Sequence, residues 1–179
     1  MNLTSLILLA GLMNLSSECK KSNPNSDNGL PPATQTGQDI FACHLNGDSW
    51  ISNRGLGFMG GGITNDSLDI LGTKKYPDGN TEQLIIRLFG TYNPSVATYS
   101  LNDTLTAYAI YSKTSAKTCF SLSGGGFGDI VVKKITGGTI TLSRADTVAR
   151  IISGTFSFYV PTDYCDTLKI TDGRFDIKY

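Results

Sequence analysis

The sequence predicts an all-β fold, an antiparallel β-sandwich or barrel of about nine to ten strands, preceded by a signal peptide and a disordered tether. Three observations carry that expectation. From Gln38 onward, apolar and polar residues alternate with period two. Turn signals rich in Gly, Asn and Asp separate the alternations. No stretch of the mature chain shows a 3.6-residue period.

The chain divides into residues 1–18, 19–37 and 38–179. "LTSLILLAGLMNL" (Leu3–Leu15) is apolar and uncharged. It is shorter than the roughly 20 residues a membrane-spanning helix needs and has the length of a signal-peptide apolar region. "SSECKK" follows, and Cys19 looks like the lipidated cysteine of a bacterial lipobox, with Glu18 standing where a small residue is usual. On that reading residues 1–18 are a lipoprotein signal peptide. The alternative is a plain signal peptide, with Cys19 an ordinary thiol. Residues 19–37, "CKKSNPNSDNGLPPATQTG", are polar and rich in Pro, Gly, Ser and Asn, so they read as a lipid-anchored flexible tether. The layout makes a membrane the partner, through a lipid anchor at Cys19, and places the protein in the cell envelope at the outer membrane. Lys20-Lys21 directly after Cys19 favour the periplasmic side, though the sequence leaves periplasm or surface undecided.

The single all-β domain, 38–179, opens with "IFACHLNGDSW". Phe41, Cys43 and Leu45 alternate with Ala42 and His44, and Asn46-Gly47 is the strongest short hairpin signal. "LDILG" follows. "QLIIRLFG" is more continuously apolar, as a central strand is, and "ATYSL", "TAYAIYS" and "TCFSL" are shorter candidates. "GTITL" leads through the turn "SRADTVA" into "RIISGTFSFYV", where Ile152, Gly154, Phe156, Phe158 and Val160 share a face. In the closing "LKITDGRFDIKY", Phe175, Ile177 and Tyr179 are expected in the core. Arg174, Asp176 and Lys178 are expected in water, as on an edge strand. "TDG" (171–173) reads as a bulge or tight turn.

Charge and residue chemistry exclude several functions. Fifteen basic and fifteen acidic side chains give a formal net charge of +0. Nucleic-acid binding needs a one-sided basic field, and only the isolated pairs Lys20-Lys21, Lys74-Lys75 and Lys133-Lys134 are present; no nucleic-acid partner is expected. The cysteines, Cys19, Cys43, Cys119 and Cys165, lack the close pairs of a zinc site, so no metal and no cofactor is expected. In an oxidising envelope, Cys119 and Cys165 are the disulfide candidates, with Cys43 a buried free thiol. The one histidine, His44, is adjacent to Cys43 on a strand. Their side chains point to opposite faces and form no dyad, and His44 is expected to be exposed. The carboxylates Asp66, Asp69, Asp78, Asp103, Asp129, Asp146 and Asp163 sit mostly in turn contexts. No catalytic residue is assigned, and the chain reads as a non-enzyme. The aromatics offer one lead: Trp50, Tyr108 and Tyr111 are candidate ligand-stacking residues for a sugar.

"RGLGFMGGGI" (54–63) carries Gly55-x-Gly57-x-x-Gly60, the spacing of a dinucleotide loop. Such a loop must open a helix inside a βαβ unit, and here turn residues and another strand follow. The glycines read as backbone devices of a bulged strand or a lid. "SGGGFGD" (123–129) likewise lacks the lysine of a P-loop.

"FACHLNGDSW", "GFMGGGI", "GGTITLSRAD", "RIISGTFSFYV" and "ITDGRFDIKY" together resemble an uncharacterised family of Bacteroidota lipoproteins. Its pattern is F-x-C-x-x-N-G-x-x-W at the start, then I-S-G-T-F-x-F, and T-D-G-R-F-D-x-x-Y at the end. The resemblance covers roughly Asp39 to Tyr179. It implies a secreted, lipid-anchored, all-β domain without an assigned activity, and carries over no site residue. Three functions are therefore weighed. The first is a non-enzymatic binding or structural module of the envelope, with a glycan or an envelope protein as candidate partner. The second is a carbohydrate-binding lipoprotein of a glycan-uptake system. The third is a glycoside hydrolase using paired carboxylates.

Overall fold

The structure, a computed structural model, describes residues 27–53, 60–64, 67–89, 95–101, 107–113, 130–131, 137–163 and 165–179. The leader, Cys19, Cys119, the strand expected at 118–122, Gly55, Gly57 and the 123–129 stretch lie outside these residues.

The described residues form eleven strands: β1 Ile40–Leu45, β2 Asp48–Ile51, β3 Gly60–Thr64, β4 Ser67–Lys75, β5 Thr81–Phe89, β6 Thr98–Ser100, β7 Ala107–Lys113, β8 Ile130–Val131, β9 Gly138–Asp146, β10 Ile151–Val160 and β11 Leu168–Lys178. β6 and β8 span only three and two residues. One antiparallel sheet has six strands in the order β2-β1-β11-β10-β9-β6, the other five in the order β3-β4-β5-β7-β8. No ladder joins the two among the described residues, and their arrangement is sandwich-like. β5 is central, as its apolar run predicts. β11 is also central, between β1 and β10, which corrects its expected place at an edge.

Local chemistry explains the turns. Asn46 and Gly47 join β1 to β2 with φ of 52° and 93°, the left-handed pair that a two-residue type I′ hairpin demands. Between β9 and β10, Asp146 Oδ1 accepts from the backbone amides of Val148 and Ala149 at 3.1 and 2.7 Å. After β2 the chain crosses between sheets: Ser52 Oγ donates to Thr73 O at 2.8 Å and Asn53 Nδ2 to Lys75 O at 2.8 Å. Gly60–Thr64 forms β3, paired antiparallel to β4 from Gly60↔Leu71 to Thr64↔Ser67. The end of the glycine-rich stretch is thus a strand in a hairpin-like ladder, not the start of a helix.

The core lies between the sheets. Ile152, Gly154, Phe156, Phe158 and Val160 all face it, as their alternation predicts. The Phe41 ring sits 5.1 Å from Phe156 and edge-on to Trp50 at 6.0 Å. It also lies against the backbone of the opposite sheet, where a Cβ on Gly72 would come within 2.4 Å of the ring. Burying large side chains such as these stabilises by about 1.5–3 kcal/mol each.

The outer face of the six-stranded sheet departs from expectation. Residues 27–39, all but the last two of which were expected as tether, lie against it as a strap. The strap begins with a short 3-10 turn at Asp27–Gly29, and Leu30 is fully buried. His44, Arg174 and Asp176, expected in water, are 7%, 9% and 1% exposed beneath it. Lys178 remains exposed, as predicted.

Candidate functional site

Three groups of functional side chains emerge, and they lie in different places. The first is Asp176, at the register position opposite Ile40 and Ser153. Its carboxylate accepts from Thr34 Oγ1 at 2.6 Å, the amides of Thr36, Gly37 and Gln38 at 3.0, 2.8 and 3.0 Å, and Ser153 Oγ at 2.6 Å. Burial alone would raise its pKa. The hydrogen bonds from Ser153, Thr34, Gln38 and Gly37 outweigh burial and hold it at about 2. Asp176 is the clasp of the strap.

A second clasp sits near the strap's start. His44 Nδ1 faces Asp172 Oδ2 at 3.1 Å, and Nε2 faces the Asn28 carbonyl at 3.1 Å. Both partners accept, so the ring satisfies both when protonated. The hydrogen bond to Asp172, with the Asn28 carbonyl second, raises the His44 pKa against the effect of burial. Arg174 Nη1 donates to Pro31 O at 3.0 Å, and Arg144 Nη1 to Gln35 O at 2.5 Å.

A bulge in β11 produces this arrangement. The register slips at the same point against both neighbours, between Arg174 and Thr171 opposite β1 and between Gly173 and Ile170 opposite β10. Asp172 takes φ of 52°, and Gly173 turns inward under the Phe156 ring, which leaves no room for a Cβ. The "TDG" bulge expected from sequence is present, and it aims Asp172 outward.

Beside the strap the same face forms a cleft of about 360 Å³, lined by Ala33, Thr139, Thr155, Ser157, Asp172 and Arg174 and floored by Phe156 and Gly173. A second cleft of about 690 Å³ lies around Asn46, Gly47, Asp166, Thr167, Lys169 and Thr171. Sequence reasoning missed these residues. One signal was available: "TYS", "TIT" and "TFS" place hydroxyls at alternate positions of three strands that prove to be neighbours.

The third group is internal. Glu82 on β5 is 2% exposed. It accepts from Trp50 Nε1 at 2.8 Å, Tyr111 OH at 2.9 Å and Tyr76 OH, and pairs with Lys113 Nζ at 2.7 Å. Burial pushes its pKa up, but the bonds from Lys113, Tyr76 and Tyr111 prevail and lower it. This cluster corrects the sugar-stacking expectation. Trp50 and Tyr111 are 2% and 4% exposed, with their polar atoms committed to Glu82. Tyr108 lies on the other sheet's outer face, its ring 5.6 Å from Phe89 at 42° and its hydroxyl accepting from Arg87 at 3.0 Å. The three rings form no shared platform.

A family model described as a domain of unknown function, DUF6252, matches residues 39–176. The chain belongs to that family. None of the curated proteins matches it, and none of the solved structures does. The match to DUF6252 begins at the end of the strap and closes on Asp176, so most of the strap precedes the family domain that it clasps.

Two cysteines of this DUF6252 member, Cys43 and Cys165, fall among the described residues. Cys43 is a free thiol in the core, and burial, then the charge of Glu82, pushes its pKa to about 12 against the opposing Lys74. Cys165, in the β10–β11 loop, is disulfide-bonded. The expected partner, Cys119, lies outside the described residues, so the pairing Cys119–Cys165 stays a proposal. Among the described residues no group of three or more His, Cys, Asp or Glu is placed to hold a metal ion.

Proposed function

We propose that the protein is a lipid-anchored β-domain of the cell envelope, at the outer membrane, acting as a non-enzymatic binding or structural module. The strap carries this reading. An anchor at Cys19 would lie eight positions before Asp27, a reach of at most about 28 Å of extended chain. The strap then receives any pull at the N-terminus and passes it to β11 through its four hydrogen bonds to Asp176, from Thr34, Thr36, Gly37 and Gln38. A domain held at its leading end by a buried carboxylate is suited to work on a short leash. Against hydrolysis stands the composition of the smaller cleft. Among the described residues Asp172 is the one carboxylate in its lining, whereas paired-carboxylate glycoside cleavage needs two.

The test is metabolic labelling of the full chain with an alkyne palmitate analogue. Label is expected on the wild type, together with sedimentation with membranes, and neither is expected on Cys19→Ala. An unlabelled wild type released in soluble form overturns the anchor. Protease shaving of whole cells then assigns the side of the membrane.

A further inference from the structure

We infer that the outer-face cleft beside the strap is a binding site for a saccharide. The inference rests on the reading of the domain as a binding module and names the ligand class for it. Register aligns the hydroxyls in two rows. Thr98, Thr141 and Thr155 are paired across β6, β9 and β10, and so are Ser100, Thr139 and Ser157. The first row meets Arg174 on β11, and Asp172 joins Ser157 in the cleft lining. Strand spacing of about 4.8 Å and a step of roughly 6.7 Å between alternate residues make these hydroxyls a grid. Thr98 and Thr141 hydrogen-bond each other at 2.9 Å, and the three hydroxyls that line the cleft, Thr139, Thr155 and Ser157, can each donate and accept, which matches the hydroxyls of a sugar and no single charge type. Asp172, its side chain 58% exposed, adds an acceptor. Arg174, held by the Pro31 and Asp172 carbonyls, supplies the balancing positive charge, so the cleft does not select a phosphate.

Geometry narrows the occupant further. β9, β10 and β11 are paired on both sides, so their backbones cannot add a peptide strand and recognition falls to side chains. Tyr159 continues the outward series Thr155, Ser157 and Tyr159 on β10 and is 45% exposed. Its ring offers the C–H face of a sugar a stacking surface beside the hydroxyl grid. The cleft, about 360 Å³, falls in the roughly 300–1,000 Å³ range of small-ligand sites.

The experiment titrates the full chain, purified in detergent, against soluble laminarin, xylan, mannan and dextran by affinity electrophoresis, and against an immobilised glycan array. Retention by at least one glycan is expected. Tyr159→Ala, and separately Thr155→Val with Ser157→Ala, should each weaken it tenfold or more at an unchanged melting temperature. No glycan bound by the folded protein, or binding that survives both variants, overturns the inference. Palmitate labelling with no glycan binding sinks the ligand class alone and leaves the anchored module standing.

Discussion

Asp176 accepts a hydrogen bond from the backbone amide of Gly37 at 2.8 Å, across 139 positions of sequence. The two residues are far apart in sequence, yet this contact and its three companions from Thr34, Thr36 and Gln38 decide what the outer face of the sheet looks like. A carboxylate in a closing strand becomes the buried receptor of the N-terminal strap.

Replacing that carboxylate tests the clasp. Asp176→Asn keeps the shape but turns one acceptor oxygen into a donor facing donors. A loss of about 1–3 kcal/mol is expected, read as a lower denaturant midpoint. Proteolysis should become faster within residues 27–39, while the sandwich core stays protected.

Acid should loosen the same contact. The Asp176 pKa is depressed to about 2, so its contribution is complete above the unfolded carboxylate value near 3.9. It is lost as pH falls from there through about 2. Wild-type stability should drop over this window more steeply than that of Asp176→Asn, with urea midpoints taken at successive pH values. Glu82, also depressed, adds to the slope in both proteins and cancels in the comparison.

The histidine works in the other direction. The His44 pKa is raised by Asp172 and the Asn28 carbonyl, so its stabilisation is fully present below the unfolded value near 6.5. It disappears as pH rises through the folded value. Arg174 opposes the shift and does not overcome it. The single histidine gives one resolvable proton titration by NMR. Its midpoint should lie above 6.5 in the wild type and fall in Asp172→Asn.

Gly173 is required for packing. A Cβ there would meet the Phe156 ring at 2.4 Å, so Gly173→Ala should cost about 1–3 kcal/mol through overpacking. The melting temperature should fall, and the cleft beside the bulge should change shape, which the glycan titration detects independently.

Cys43 should be inert in the folded protein. It is fully buried and its pKa lies near 12, so almost no thiolate exists at neutral pH. Iodoacetamide followed by peptide mapping should leave Cys43 unmodified in buffer and alkylate it in guanidinium. Rapid alkylation of the native protein would contradict its place between the sheets.

Much of the fold was legible in the chain. Alternation in "RIISGTFSFYV" put Phe156 and Phe158 in the core because period two is a local property of a strand. Asn46-Gly47 marked a hairpin because left-handed φ is a property of those two residues. "FDIKY" was equally clear about Phe175 and Ile177 and misleading about Asp176. Its polar face reads the same whether water or another segment covers it.

By itself, the sequence determined which residues alternate, where the chain turns, and that Cys43 and His44 point apart. Those are statements about neighbours along the backbone. Tertiary structure decided the rest: that β11 is central, that residues 27–37 of the supposed tether lie over its outer face, and that Trp50 and Tyr111 serve Glu82 rather than a ligand. It also brought the hydroxyls of three separate strands into register. Each of these depends on pairing between segments far apart in sequence, and hydrogen bonds of that range leave no periodic trace in either partner.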